Sequence, residues 1–82
     1  MIEVKFYSHL RRVLGEHSVD LEAATVGAVL DELSARFGDV FVERLPACKV
    51  FVNGSNVGLA RGRRTRLHPG DEVILMPPVG GG

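Results

Sequence analysis

Residues 25–38, TVGAVLDELSARFG, carry the clearest helical pattern in the chain. Their apolar residues recur at positions i, i+3, i+4, i+7 and i+11 of one helix face, namely Val26, Val29, Leu30, Leu33 and Phe37. Thr25 stands where an N-cap residue is expected, and Gly38 follows the last periodic residue, where helices commonly end. The stretch therefore predicts one amphipathic helix that packs through a single face.

Strand patterns stand on both sides of this helix. Before it, residues 2–7 (IEVKFY) and 17–22 (HSVDLE) alternate apolar and polar side chains, which predicts two strands joined as a hairpin through a long loop. After it, residues 48–54 (CKVFVNG) predict a strand followed by a tight turn at Asn53-Gly54 or Gly54-Ser55. Residues 56–59 predict a short strand, residues 67–71 predict a tight turn, and residues 72–76 predict the last strand. We expect the strand within residues 48–54 to be a central strand of the sheet.

The segment after the helix is predicted as a connector. We expect residues 39–47 to be irregular, because Pro46 bars a continuing helix. Phe41, Val42 and Leu45 are expected to close one end of the core there. The order strand, strand, helix, strand, short strand, strand predicts an α+β domain whose mixed sheet of four or five strands packs on one main helix.

The composition is that of one small globular domain. The 82 residues are 45% hydrophobic, and ten acidic residues balance ten basic ones, which argues against a general polyanion-binding protein. No apolar run reaches the length of a membrane span, and no signal peptide precedes the first strand. We therefore expect a cytoplasmic protein without membrane contacts.

Few side chains suggest a reactive or metal-binding site. Cys48 is the only cysteine, so an intramolecular disulfide and an iron–sulfur cluster are excluded. We expect its thiol to be a small buried group rather than a nucleophile. His9, His17 and His68 lie in different elements without the spacing of metal ligands, so no metal site is predicted.

Residues 61–66, RGRRTR, place four arginines in one loop. Such a segment suggests RNA binding, but no aromatic residues stand among the arginines to stack on bases. We therefore expect a solvated or protein-docking loop. Arg11 and Arg12, in an earlier loop, are expected to point into solvent. An RNA- or protein-binding module that uses residues 61–66 stays open as an alternative function.

The chain ends in the sequence PPVGGG. Glycines cannot fill a core and lose much backbone entropy on ordering, so we expect residues 79–82 to be a flexible tail on a domain of residues 1–78. Pro77 and Pro78 favour an extended path that aims the tail away from the domain. The reactive group of the tail is the carboxylate of Gly82, which can enter a channel too narrow for side chains.

Four stretches together resemble a known family. They are VKFYSHLRRVLG at the start, TVGAVLDEL in the helix, FVNG at the turn and, most specifically, HPGDEVILMPPVGGG at the end. They resemble the prokaryotic ubiquitin-like sulfur carriers, specifically the small subunit of molybdopterin synthase, over nearly the whole chain. The resemblance implies the β-grasp fold, a mixed sheet wrapped around one helix. It also implies that Gly81 and Gly82 are the functional pair, with Gly80 at the variable position before them.

The resemblance further implies a reaction cycle at Gly82. A ubiquitin-activating-like adenylyltransferase would consume ATP to adenylate the carboxylate, and a sulfurtransferase donor would supply the sulfur of a terminal thiocarboxylate. The large subunit of molybdopterin synthase would then accept the tail and pass the sulfur to a pterin precursor. Gly80 and Gly81 would let the tail enter the partner's active site. This chain would be a carrier without catalytic side chains, bound cofactor or direct nucleic-acid contact.

Docking onto such partners requires a surface near the tail. If the strand alternation holds, Phe51, Ile74 and Met76 share the outer face of the sheet beside the point where the tail leaves. Large apolar residues grouped on a surface favour a patch that a partner covers. We expect these three residues, with Pro77 and Pro78, to bind the partner. A register shift of one residue would bury them instead.

The acceptor of the sulfur stays open. The same activated tail could serve tRNA thiolation, thiazole or cysteine synthesis, or an isopeptide bond to a protein lysine. The PPV before the glycines and the full-length helix favour molybdopterin synthase over the shorter thiazole carriers. They do not decide against the tRNA or protein-modifier branches.

Overall fold

The computed structural model describes residues 1–59 and 61–78. The elements are β1 (Ile2–Phe6), α1 (His9–Leu14), β2 (Ser18–Leu21), α2 (Val26–Phe37), α3 (Asp39–Val42), β3 (Lys49–Val52), β4 (Ser55–Asn56) and β5 (Glu72–Met76). The strands form one mixed sheet in the order β2-β1-β5-β3-β4, with α2 packed on it. This is the β-grasp fold that the sequence predicts. None of the helices in the described part of the chain is long and apolar enough to cross a bilayer.

Helix α2 begins and ends as predicted. The backbone N–H of Ala28 donates to Thr25 Oγ1 at 3.1 Å, which confirms the N-cap. The chain leaves the helix at Gly38, where φ is +69°. The ring of Phe37 meets that of Phe6 edge to face, with ring centroids 5.9 Å apart. The predicted apolar face of the helix therefore packs on the sheet.

β5 is the middle strand of the sheet. The strand after Cys48, β3, was expected to be a central strand, and it lies between β5 and β4 with a partner on each side. β5 pairs with β1 in parallel and with β3 in antiparallel orientation. Its core-side residues Val73 and Leu75 are fully buried beside Val4 and Val50. β3 and β5 show the same alternation, so periodicity identifies the buried face of each strand but not its place in the sheet.

The β3–β4 hairpin turns at Asn53-Gly54, the first of the two predicted positions. Asn53 and Gly54 have φ values of +49° and +89°, and positive φ at both central residues is the requirement of a type I′ turn. Val52 pairs with Ser55 across the turn. The short strand that follows is therefore Ser55–Asn56, earlier than the predicted residues 56–59.

Residues 39–47 are helical, not irregular as expected. They form α3 and a 3₁₀ turn that contains Pro46 near its start, a position that tolerates a residue without an N–H. Phe41 is fully buried and Leu45 packs against the core. Val42 is 45% exposed, so the expectation that it closes the core is wrong. A four-residue helix can bury only one of two adjacent side chains.

The loop after β1 contains α1, a helix that the sequence analysis did not predict. Leu10 is fully buried, and Gly15 ends the helix at φ +74°. Arg11 does not simply point into solvent: its Nε donates to the carbonyl of Phe6 at 2.7 Å. Its guanidinium also lies 5.0 Å from the ring centroid of Tyr7, within cation–π range. The Arg11 side chain therefore binds back to the main chain and the Tyr7 ring at the carboxyl end of β1.

Residues 61–66, the arginine loop, pack against the first turns of α2. Arg63 Nη2 lies 2.7 Å from Asp31 Oδ1. The carbonyl oxygen of Arg63 lies 3.0 Å from the position that a Cβ on Gly27 would occupy. The loop can pack this closely against α2 because residue 27 is a glycine. The other three arginines of the loop are exposed. The segment is thus a docked part of the domain with a basic outer surface.

Candidate functional site

The sheet face turned away from α2 holds a row of side chains that crosses all five strands. The successive cross-strand partners are Ser18, Lys5, Ile74, Phe51 and Asn56. Ile74 and Phe51 stand side by side on neighbouring strands, and both are half-buried. Met76 follows on the same face of β5 and is also half-buried. These three apolar residues, Phe51, Ile74 and Met76, are called the outer patch below.

The register of β3 against β5 places the outer patch on the side expected from the alternation. Val50 and Leu75 form the adjacent cross-strand pair, and both are fully buried on the core side. A shift of one residue would exchange the two sets of side chains, and the structure shows the unshifted register. The patch is partly covered rather than fully open. Its role in partner binding stays a prediction.

The base of the tail adjoins the outer patch. β5 ends at Met76, Pro77 is fully buried, and Pro78 is exposed. Pro77 therefore anchors the chain to the domain. Its part in partner binding, like that of Pro78, stays a prediction. Pro78 is accessible to a partner. The predicted functional glycines, Gly80, Gly81 and Gly82, lie outside the described residues.

Two lysines border the outer patch. Lys5 Nζ lies 2.8 Å from Glu72 Oε2, and the hydrogen bond and charge of Glu72 raise the pKa of Lys5. Lys49 is exposed and lies directly opposite Met76. An apolar centre with a charged rim is the usual anatomy of a protein–protein interface.

The other end of β5 is held by a side-chain clamp between two turns. Asn53 Nδ2 donates to Asp71 Oδ1 at 3.1 Å, and the backbone N–H of Glu72 donates to Asn53 Oδ1 at 2.9 Å. The backbone N–H of His68 donates to Asp71 Oδ2 at 2.8 Å. The His68 N–H and then the Asn53 amide lower the pKa of Asp71. The clamp joins β3 to β5 and so stabilises the register on which the outer patch depends.

Sequence reasoning identified both turns of this clamp but not the contact between them. Asn53 and Asp71 are 18 residues apart, and no local spacing indicates such a pair. The available signal was the residue type at each turn. Asn and Asp commonly hydrogen-bond backbone groups in turns, so each could have been marked as a possible turn ligand.

Cys48 has the environment of a structural residue. Its thiol is buried and donates to the carbonyl of Arg44, with the two atoms 3.3 Å apart. Burial raises the pKa of the Cys48 thiol, which disfavours the nucleophilic thiolate. This agrees with the expected small buried group. Across residues 1–59 and 61–78, no three His, Cys, Asp or Glu side chains cluster in a way that could hold a metal ion.

Known proteins resemble this chain in both sequence and structure. Residues 4–82 match the ThiS family. Small archaeal modifier protein 3 of Haloferax volcanii is 36% identical over 91 residues, which cover 99% of this chain and 98% of that protein. The sulfur carrier protein CysO of Mycobacterium tuberculosis is 32% identical over 78 residues, which cover 83% of each chain.

A solved structure extends the likeness to a two-subunit assembly. It is the complex of subunits 1 and 2 of the molybdopterin-converting factor from Helicobacter pylori. Its matching chain has a TM-score of 0.74 and 25% identity, with 99% of this chain and 97% of that chain covered. Because sequence and fold agree over almost the whole length, the chain belongs to the ThiS family of ubiquitin-like sulfur carriers.

Proposed function

We propose that this chain carries sulfur as a thiocarboxylate on Gly82 and donates it as the small subunit of molybdopterin synthase. The observation that carries the proposal is the position of the outer patch, which adjoins the base of the tail at Met76. A partner that covers Phe51 and Ile74 would hold the terminal residues within reach of its own active site. The likeness to one chain of the molybdopterin-converting factor complex supports this role.

The chemistry requires an activating partner. A carboxylate is a poor acyl electrophile, because the leaving group would be an oxide. An adenylyltransferase joins the Gly82 carboxylate to the α-phosphate of ATP and releases pyrophosphate. Sulfur at the oxidation level of hydrosulfide, supplied by the donor, then attacks the carbonyl carbon. AMP leaves with the electron pair of the broken carbon–oxygen bond, and Gly82 ends as a thiocarboxylate. The cycle belongs in the cytoplasm, where the partner has ATP.

This chain contributes position rather than an acid, a base or a cofactor. A docked domain converts the meeting of tail and acceptor into an effectively intramolecular step, which can supply a large part of the rate. Docking through the outer patch would bury large apolar side chains at the centre of an interface, where most binding energy is found. The catalytic groups would then come from the partners.

The terminal chemistry is tested by intact-mass measurement. The chain is incubated with a candidate adenylyltransferase, ATP and a sulfur donor. We expect a mass gain that corresponds to replacement of one oxygen by one sulfur. A variant that lacks Gly81 and Gly82 should fold normally and show no gain. If that variant kept full biological activity, the β-grasp binding-module alternative would be favoured over a carrier.

The docking surface is tested with a matched pair of acidic substitutions. Phe51→Asp places a charge in the outer patch. Val42→Asp places a charge at an exposed position of α3, in the helical layer. Loss of a central apolar contact commonly costs 2 kcal/mol or more, so we expect Phe51→Asp to weaken binding to the large subunit by about thirtyfold. Val42→Asp should bind normally. Equal affinities of the two variants, or unfolding of Phe51→Asp alone, would contradict the docking proposal.

A protein-modifier role is the second candidate. The observation that favours it is the 36% identity to small archaeal modifier protein 3 over nearly the full length of both chains. The same adenylate would then acylate a lysine of a target protein. Isolation of the chain from its native cell distinguishes the two functions. A large synthase subunit that co-purifies supports the role in molybdopterin synthase, and isopeptide-linked target proteins support the protein-modifier role.

A further inference from the structure

The chain offers very few amines to its own activated carboxyl group. Eight of its ten basic residues are arginines, and its lysines are Lys5 and Lys49. A guanidinium stays protonated at physiological pH and does not act as a nucleophile, whereas a lysine amine can. The α-amine of Met1 is the third amine. A protein that carries an acyl adenylate therefore has three positions at which it could acylate a copy of itself.

The structure separates these three amines by environment. Lys5 Nζ is held by Glu72 at 2.8 Å, and an ammonium group in a hydrogen-bonded ion pair must first lose that contact before it attacks a carbonyl. The α-amine of Met1 lies 3.5 Å from Glu22 Oε1. Both amines are therefore engaged by carboxylates, although the Met1 contact is longer.

The α-amine also lies at the wrong end of the sheet. β1 and β5 run parallel, and the backbone N–H of Gly70 donates to the carbonyl of Met1 at 3.0 Å. Gly70 precedes Met76 by six residues, which corresponds to roughly 20 Å of strand. Met1 is thus separated from the base of the tail by the length of β5.

Lys49 differs from the other two amines in each respect. It is exposed, and no carboxylate among residues 1–59 and 61–78 lies within 4.0 Å of its Nζ. It is the first residue of β3 and stands directly opposite Met76, the last residue of β5. Because it shares the outer face with Met76, it lies at the end of the sheet where β5 ends and where we propose that partners dock.

We propose that Lys49 is the self-modification site of this chain, which accepts the activated Gly82 of a second copy. The inference rests on the proposed activation of Gly82 by an adenylyltransferase and ATP. The neutral amine of Lys49 attacks the carbonyl carbon of the acyl adenylate, an amide bond forms, and the bond from that carbon to the AMP oxygen breaks. AMP leaves with the electron pair, and the nitrogen loses a proton to water. Proline fixes φ, so Pro77 and Pro78 favour an extended continuation of β5, which favours a second copy as donor.

Self-modification at Lys49 would compete with docking. The lysine stands beside the outer patch, so a partner seated on Phe51 and Ile74 would cover Lys49 or crowd it. A carrier bound to its acceptor would be protected from acylation, and free activated carrier would be consumed. The predicted result is that excess large subunit suppresses the dimer.

The test uses the full chain with its adenylyltransferase and ATP, without a sulfur donor. Hydroxylamine in one arm traps the activated carboxyl as a hydroxamate and so measures activation alone. In the other arm we expect a covalent dimer whose mass is that of two chains less one water, with the isopeptide mapped to Lys49. Lys49→Arg should lose the dimer and keep hydroxamate formation. Lys5→Arg, the matched control, should keep both.

The outcomes separate the two proposals. Absence of hydroxamate would overturn the proposed activation, and with it the self-modification site. Hydroxamate without a dimer would overturn the Lys49 proposal alone. A dimer linked through Lys5 or Met1, or a monomer that loses one water by joining its own tail, would also overturn it.

Discussion

Truncation of two adjacent residues of β5 should have very different effects on stability. We expect Leu75→Ala to lower the free energy of unfolding by about 3 kcal/mol, and Ile74→Ala to lower it by about 1 kcal/mol or less. The two side chains have the same number of carbon atoms and lie on the same strand. The difference between the two losses of stability therefore reports which face of the sheet each side chain occupies.

The magnitudes follow from burial. Leu75 is fully buried, so its truncation loses about 0.8 kcal/mol for each of the carbons removed. The cavity beside Val50 adds a further penalty, because a strand at the centre of the sheet can relax only partly. Ile74 is half-buried on the outer face. Water already reaches part of this side chain, so its removal leaves no closed cavity.

Urea unfolding followed by far-ultraviolet circular dichroism measures both values. A domain of this size has a total stability of about 4 to 12 kcal/mol, so Leu75→Ala should remain measurably folded. If it does not, Leu75→Val provides the smaller change at the same position. Equal losses for the two alanine variants, or a larger loss at Ile74, would refute the assignment of the two faces. The effects on binding should be the opposite of the effects on stability. In calorimetric titration with the large subunit, we expect Ile74→Ala to bind more weakly than Leu75→Ala.

Two further predictions concern the turn and the loop that support the sheet. The pKa of Asp71 is lower in the folded protein than the ordinary Asp value of about 3.9. Its carboxylate therefore stabilises the fold above that value, and the stabilisation disappears as the pH falls through the lower folded pKa. Asp71→Asn should flatten the acid unfolding curve over this pH range. Gly62→Ala should cost about 1–3 kcal/mol, because a Cβ there would lie 2.8 Å from Val57 Cγ2. Adding Val57→Ala should recover part of that loss in urea unfolding.

The faces of the elements could be predicted from sequence because periodicity reports burial. The patterns in residues 2–7 and 25–38 identified a strand and a helix with the correct buried sides. The same reasoning placed Phe51 and Ile74 together on the outer face, since adjacent antiparallel strands with known buried faces have few possible registers.

What sequence reasoning missed depends on contacts between distant segments. The central position of β5 requires pairing with β1, which is remote in sequence. α1 is too short to be predicted from propensity alone, and it exists because Leu10 reaches the core. The burial of Pro77 after β5 was also not predicted, because a pair of prolines after a strand does not show whether their rings pack against the domain.

The parallel pairing of β1 and β5 determines how the domain resists mechanical force. Tension between Met1 and the end of β5 acts along two neighbouring strands whose loaded ends are at opposite ends of the ladder. All hydrogen bonds of that ladder then bear the load together, in shear. Tension between Lys49 and the end of β5 starts at one end of an antiparallel ladder and separates its hydrogen bonds one after another. A copy pulled through its own Lys49 and its tail should therefore unfold at much lower force than one pulled through its two termini.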